Sequence, residues 1–214
     1  MRSADMRLLR GKIMKKKTLT KGEPGYIAYK KKVELLFSVT LFLIAAGIFI
    51  LGLALNKWEK GNVFTIVAAL FVIPMARFLT QFMLLFPFKS VNEEDLSEVE
   101  KNAKPGSIIY ADNVLASSEK AMQLSFIVIT SNKLLCYTGR DKEDASKVQG
   151  YINDIMTRRG HDCRATVTGD RSKFISLLKN SDTPADMQFS SDEEREAFEN
   201  ERKAVCKELE SIMV

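Results

Sequence analysis

Leu35–Leu55 reads LLFSVTLFLIAAGIFILGLAL, a run without a single charge. A helix rises about 1.5 Å per residue, so this run is long enough to cross a hydrocarbon core of about 30 Å. A buried helix of a soluble domain is usually shorter and keeps a polar stripe. A cleaved signal peptide fits less well, because its apolar core is shorter and does not follow some 32 hydrophilic residues. The sequence therefore predicts a transmembrane helix over about 33–55.

The next apolar run, Val63–Phe88, is VFTIVAALFVIPMARFLTQFMLLFPF, interrupted by Pro74, Arg77 and Gln81. An arginine at the bilayer centre costs about 2.5–3.5 kcal/mol on insertion scales. The least costly placement is a second span over about 62–80, with Arg77 near the interface and snorkelling to the headgroups. Pro74 then kinks the helix, and Phe78–Phe88 lies along the interface.

Residues 56–61 (NKWEKG) are too short a connection for anything but antiparallel neighbours, so the two spans form a helical hairpin. Residues 1–32 carry 11 Lys/Arg against 2 Asp/Glu, residues 33–89 carry 4 against 2, and residues 90–214 carry 17 against 23. The net charge of +5 is thus a property of one end, which argues against a protein that coats nucleic acid. Lysine and arginine are retained on the cytoplasmic side. Lys30, Lys31 and Lys32 beside the first span place both termini in the cytoplasm, with Trp58 at the outer interface and Tyr26 and Tyr29 at the inner one. The expected location is a cell membrane of bacterial type. The basic arm, residues 1–32, suits anionic lipid headgroups, and only its composition speaks for nucleic acid.

Residues 90–180 read as a small cytoplasmic α/β domain. Asn92 is placed to cap a helix, with Glu93, Glu94 and Asp95 in its first turn and Pro105-Gly106 after it. Strands are expected at Ser107–Ala116, Met122–Thr130 and Lys133–Thr138, the last two joined by a tight turn at Ser131-Asn132. The middle strand is apolar on both faces and calls for cover on both sides. A helix over about 143–159 stops at Gly160, a fourth strand follows at Cys163–Thr168, and a further helix at about 171–178. After a linker at 181–190, Ser191 and Glu194 make a capping-box pattern. It opens an amphipathic helix at 191–214 with the stripe Phe198, Val205, Leu209 and Ile212, which either docks on the domain or meets a partner. The fold class is a two-helix transmembrane hairpin plus a mixed-sheet domain of order α-β-β-β-α-β-α with a C-terminal amphipathic helix.

Chemical signatures are sparse. Cys136, Cys163 and Cys206 have no C-x-x-C spacing, and a cytoplasmic domain keeps them reduced. Gly160-His161-Asp162-Cys163 reads as a helix-to-strand turn, since adjacent strand residues point to opposite faces and zinc needs more ligands. No nucleotide or zinc-hydrolase motif occurs, and no cofactor or metal is expected.

The order helix, three strands, helix, strand, together with Leu124–Arg140 (LSFIVITSNKLLCYTGR), resembles the restriction-endonuclease-like core and the nuclease-related domain of some membrane-associated bacterial proteins. That family holds a divalent cation with an Asp near the start of the first hairpin strand and a Glu-x-Lys at the end of the second. The matching positions here are Ser125, Thr138 and Arg140, so the resemblance implies a degenerate fold used for binding. If the chain is an enzyme, Asp112, Asp141 and Glu143 are the carboxylates that remain to hold a metal.

The leading expectation is a two-pass membrane protein displaying a non-catalytic interaction domain, with a protein partner at the 191–214 helix or the hairpin. Its rivals are a membrane-tethered, metal-dependent nucleic-acid-processing enzyme, and a small subunit of a larger assembly whose hairpin packs through Ala45, Ala46 and Gly47.

Overall fold

The computed structural model describes residues 18–56, 63–117, 120–131, 133–140, 143–182, 187 and 189–214. The two apolar runs form α1 (Tyr26–Leu55) and α2 (Val63–Leu85), about 45 Å and about 35 Å long at helical rise. Both are long and apolar enough to cross a membrane. They lie antiparallel, with Phe37 near the start of α1 stacked on Phe78 near the end of α2, ring centroids 5.2 Å apart. On α1 the inner stripe is Glu34, Ser38, Ala45 and Gly52, with Leu41 and Ile48 half-buried between them. Small residues at that near-heptad spacing let a second helix approach closely. Outside the seam the pair is sheathed in apolar side chains: Leu36, Phe42, Leu43, Ile50, Ile66, Leu70 and Ile73 are each more than half exposed.

Pro74 lies inside α2, which continues past the expected span to Leu85. The stretch expected to lie along the interface is therefore mostly helix. Arg77 is exposed, pointing away from the seam. Trp58 and most of the connecting loop fall outside the described residues.

The remaining elements follow in the expected order: α3 (Glu93–Asn102), β1 (Ile108–Ala116), β2 (Ala121–Ile129), β3 (Lys133–Tyr137), α4 (Ala145–Arg158), β4 (Arg164–Thr168), α5 (Arg171–Lys179) and α6 (Asp192–Ile212). The sheet has strand order β1-β2-β3-β4, with the first two pairings antiparallel and β3-β4 parallel. One face is covered by α4 and α6, which set Val148, Ile152, Met156, Val205 and Leu209 against Leu124, Ile127, Leu134 and Cys136. The other is covered by α3 and α5, with Leu96, Val99, Phe174 and Leu178 against Ala111, Phe126, Val128 and Leu135. The apolar middle strand is thus buried on both sides, and Val205, Leu209 and Ile212 of the C-terminal stripe are spent on the domain's own core, while Phe198 packs against Phe189.

Local signals set the ends of these helices. Asp144 and Asp170 each accept hydrogen bonds from two backbone N–H groups in the following turn, capping α4 and α5. Gly160 takes a left-handed φ of 80° at the stop after α4. Ser191 accepts from the Glu194 amide at 3.2 Å, while the Glu194 carboxylate accepts from the amide of Ser190, one residue earlier than a capping box requires. Asn92 sits at the N-cap of α3, but its side chain makes no capping bond.

Both sheet edges are closed. The amides of Ala165 and Val167 on β4 donate to Asn153 and Gln149 of α4 at 2.8 and 3.1 Å. On β1, the Ala111 amide donates to Gly22 at 2.7 Å, and Val214 donates to Val114 at 2.9 Å. Unpaired strand edges invite pairing with other chains, and here side chains and terminal segments occupy those groups.

Candidate functional site

In a flat ribbon, residues two apart share a face. Ala111 and Leu115 nevertheless belong to opposite cores, as do Phe126 and Leu124, although the β1-β2 register keeps one offset on either side of the unpaired Asp112 and Ser125. The ribbon turns over at Asp112 and Ser125, and Asp112 holds a left-handed φ of 55°. Aspartate tolerates that region better than most residues. Beyond the turnover, Val114 faces Ile27 of α1 and Leu85 and Phe88 at the end of α2, forming a third small core. The hairpin is thereby seated on the twisted end of the sheet.

Asp112 secures that seat. Its side chain is buried, and its two carboxylate oxygens accept from the amides of Gly25 and Val91, each at 2.7 Å. The Ser90 hydroxyl and the Ile27 amide also reach it. One carboxylate thus ties the start of α1 and the segment after α2 to the sheet. Burial raises its pKa above the ordinary carboxylate range, and these hydrogen bonds restrain the rise. Lys31 reinforces the seat by donating to the carbonyls of Phe86 and Phe88, and Lys21 donates to the Met213 carbonyl at 2.7 Å.

Beside this seat lies a polar cavity of about 420 Å³, lined by Lys89, Asn92, Gln123, Ser125, Tyr137 and Arg140, among others, with Pro87 and Lys89 just past the end of α2 in its wall. Its floor is the loop after β3. There the Ser125 hydroxyl donates to the Thr138 carbonyl at 3.2 Å, and Gly139 adopts a φ of 65° directly over it. A Cβ at residue 139 would sit 2.1 Å from Ser125 Oγ, so only glycine fits. Arg140 is held over the Phe88 ring at 5.4 Å. Asp95 also faces the cavity, but Arg171 takes its carboxylate at 2.7 Å from the far side.

Ser125, Thr138 and Arg140 therefore come together, whereas the three candidate carboxylates are not seen to. Asp112 spends its lone pairs on the hairpin, Glu143 pairs with Lys120 at 3.2 Å and lies 4.0 Å from Arg140, and Asp141 falls outside the described residues. Among the described residues, no group of three or more His, Cys, Asp or Glu is arranged to hold a metal. His161 Nδ1 meets Glu201 at 2.7 Å, fastening the α4–β4 turn to α6. Burial lifts Cys163 to about 11, and Cys136 is raised and fully enclosed, so neither is an activated thiol. Sequence reasoning passed over Lys89, Ser90, Gln123 and Gly139. Only Thr138-Gly139-Arg140 after an apolar strand hinted at a turn there.

No protein-family model, no curated protein and no solved structure matches the chain.

Proposed function

We propose that this chain is a two-pass membrane protein of a cell membrane, with both termini cytoplasmic, whose α/β domain is a non-catalytic binding module held directly against the inner membrane face. The observation that carries this reading is the apolar sheath over both long helices, which ends where Lys30–Lys32 and the Asp112 seat begin. Soluble monomers rarely expose contiguous apolar patches beyond a few hundred Å². The short seat, with no linker between Leu85 and the sheet contacts of Phe88 and Val91, supports a domain fixed in orientation relative to the bilayer. A degenerate binding fold would agree with the nuclease-like resemblance, in which the positions of the family's Asp, Glu and Lys are occupied by Ser125, Thr138 and Arg140. The rival metal-dependent enzyme is disfavoured by the commitment of Asp112 to backbone amides.

Alkaline carbonate extraction of membranes followed by metal titration tests this. The protein should stay in the membrane pellet and bind Mg²⁺ or Mn²⁺ no better than background. Release by carbonate removes the membrane reading, and saturable metal binding lost in Glu143→Ala removes the non-catalytic one.

A further inference from the structure

We infer that the junction cavity receives the phosphate of an anionic membrane-lipid headgroup, gripped between Lys89 and Arg140; this rests on the membrane reading above. Three observations lead there. The cavity sits at the level where the apolar sheath ends: Lys89 follows the last residue of α2 by four positions, and the intervening Phe86 is 67% exposed. A lipid lying along α2 would bring its headgroup to this mouth without leaving the bilayer.

The charge is right for an anion. Lys89 and Arg140 come from different elements and converge on one cavity. The acidic group that shares the lining, Asp95, is taken by Arg171, and Glu143 lies closer to Lys120 than to Arg140. A guanidinium presents a planar fork that matches phosphate oxygens, and an ammonium adds a point charge.

The arginine is also preorganised. The Phe88 ring lies against its guanidinium, and the loop carrying it is pinned by Ser125, by Thr138 Oγ1 donating to the Arg140 carbonyl at 3.4 Å, and by the Thr138 amide on Thr168 at 3.1 Å. The backbone that carries the guanidinium is thus fixed before anything binds, which lowers the ordering cost. Asn92 and Tyr137 supply polar groups around the mouth for headgroup hydroxyls.

The test uses the full chain in detergent micelles doped with phosphatidylglycerol or phosphatidylcholine, with retained lipid counted by native mass spectrometry. The wild type should retain phosphatidylglycerol over phosphatidylcholine. Arg140→Gln and Lys89→Gln should each lower that preference about fivefold, and the double variant should abolish it. Arg158→Gln, an exposed cation on α4, should leave it unchanged. A photoactivatable phosphatidylglycerol should label wild-type peptides spanning 86–92 and 137–140, a readout that does not depend on the variants folding. An unchanged preference in the double variant, or labelling elsewhere only, overturns the assignment. So does displacement of the lipid by millimolar inorganic phosphate without any headgroup preference, which would make a soluble phosphate the ligand. Carbonate extraction of the same preparation separates this failure from a failure of the membrane reading.

Discussion

Replacing Asp112 with asparagine tests the seat between hairpin and domain with little change of shape, since asparagine also tolerates the φ of 55°. The native carboxylate serves the amides of Gly25 and Val91 at 2.7 Å, with the Ser90 hydroxyl and Ile27 amide beside them. An asparagine keeps one oxygen for these donors and turns its own N–H₂ toward the rest. About two buried donors lose their acceptor, each at roughly 1–3 kcal/mol, and relief of the desolvation of the buried charge offsets part of that loss. The expected cost is about 3 kcal/mol, or a fall in unfolding midpoint of about 6–12 °C for a chain of this size. Thermal unfolding of the full chain in detergent measures the first quantity. Hydrogen exchange at Gly25, Ile27 and Val91 measures the second, and protection should fall there before it falls in β2 or β3. A midpoint within about 1 °C of wild type, with protection at those amides unchanged, would mean that Asp112 does not secure the hairpin.

Other perturbations follow from the same contacts. The native Asp112 titrates above its unfolded range, so between the two ranges the folded chain holds a proton that the unfolded chain has released. Stability contributed by this group therefore declines as pH rises through that window, and unfolding measured from pH 4 to pH 8 should lose this component in Asp112→Asn. Asn113 is buried with neither side-chain polar atom bonded among the described residues, so Asn113→Leu should stabilise the domain by about 1–2 kcal/mol in a denaturant titration; a destabilised variant would mean the amide has a role not seen in these contacts. Removing both edge caps with Gln149→Ala and Asn153→Ala should cost about 2 kcal/mol and promote concentration-dependent association through β4, seen by light scattering.

Element order and the double-sided cover of the sheet were legible because they rest on local periodicity: Val148, Ile152 and Met156 repeat helically, and β2 is apolar at nearly every position. The same uniformity hid the turnover at Ser125, since a strand apolar on both faces gives no sign when its faces exchange. Asp112 was conspicuous as a carboxylate, but its partners lie 87 and 21 residues away, so its part in seating the hairpin could not be read from neighbouring residues. Arg140 was noticed only as a departure from a nuclease-like pattern. Its convergence with Lys89 depends on the loop closure that Gly139 permits, a tertiary fact. Pro74 and Arg77 gave the apolar run after residue 63 no clear end, and α2 runs past both to Leu85.

The orientation of the hairpin is the claim on which the rest depends, and a membrane-impermeant thiol reagent applied to intact cells tests it most directly. With single cysteines introduced as Gly61→Cys and Ser3→Cys in a chain whose native cysteines are replaced, labelling is expected at residue 61 from outside, with protection at residue 3 until the cells are opened. Labelling at residue 3 with protection at residue 61 would contradict it, putting the α/β domain and its cationic cavity on the opposite side of the membrane.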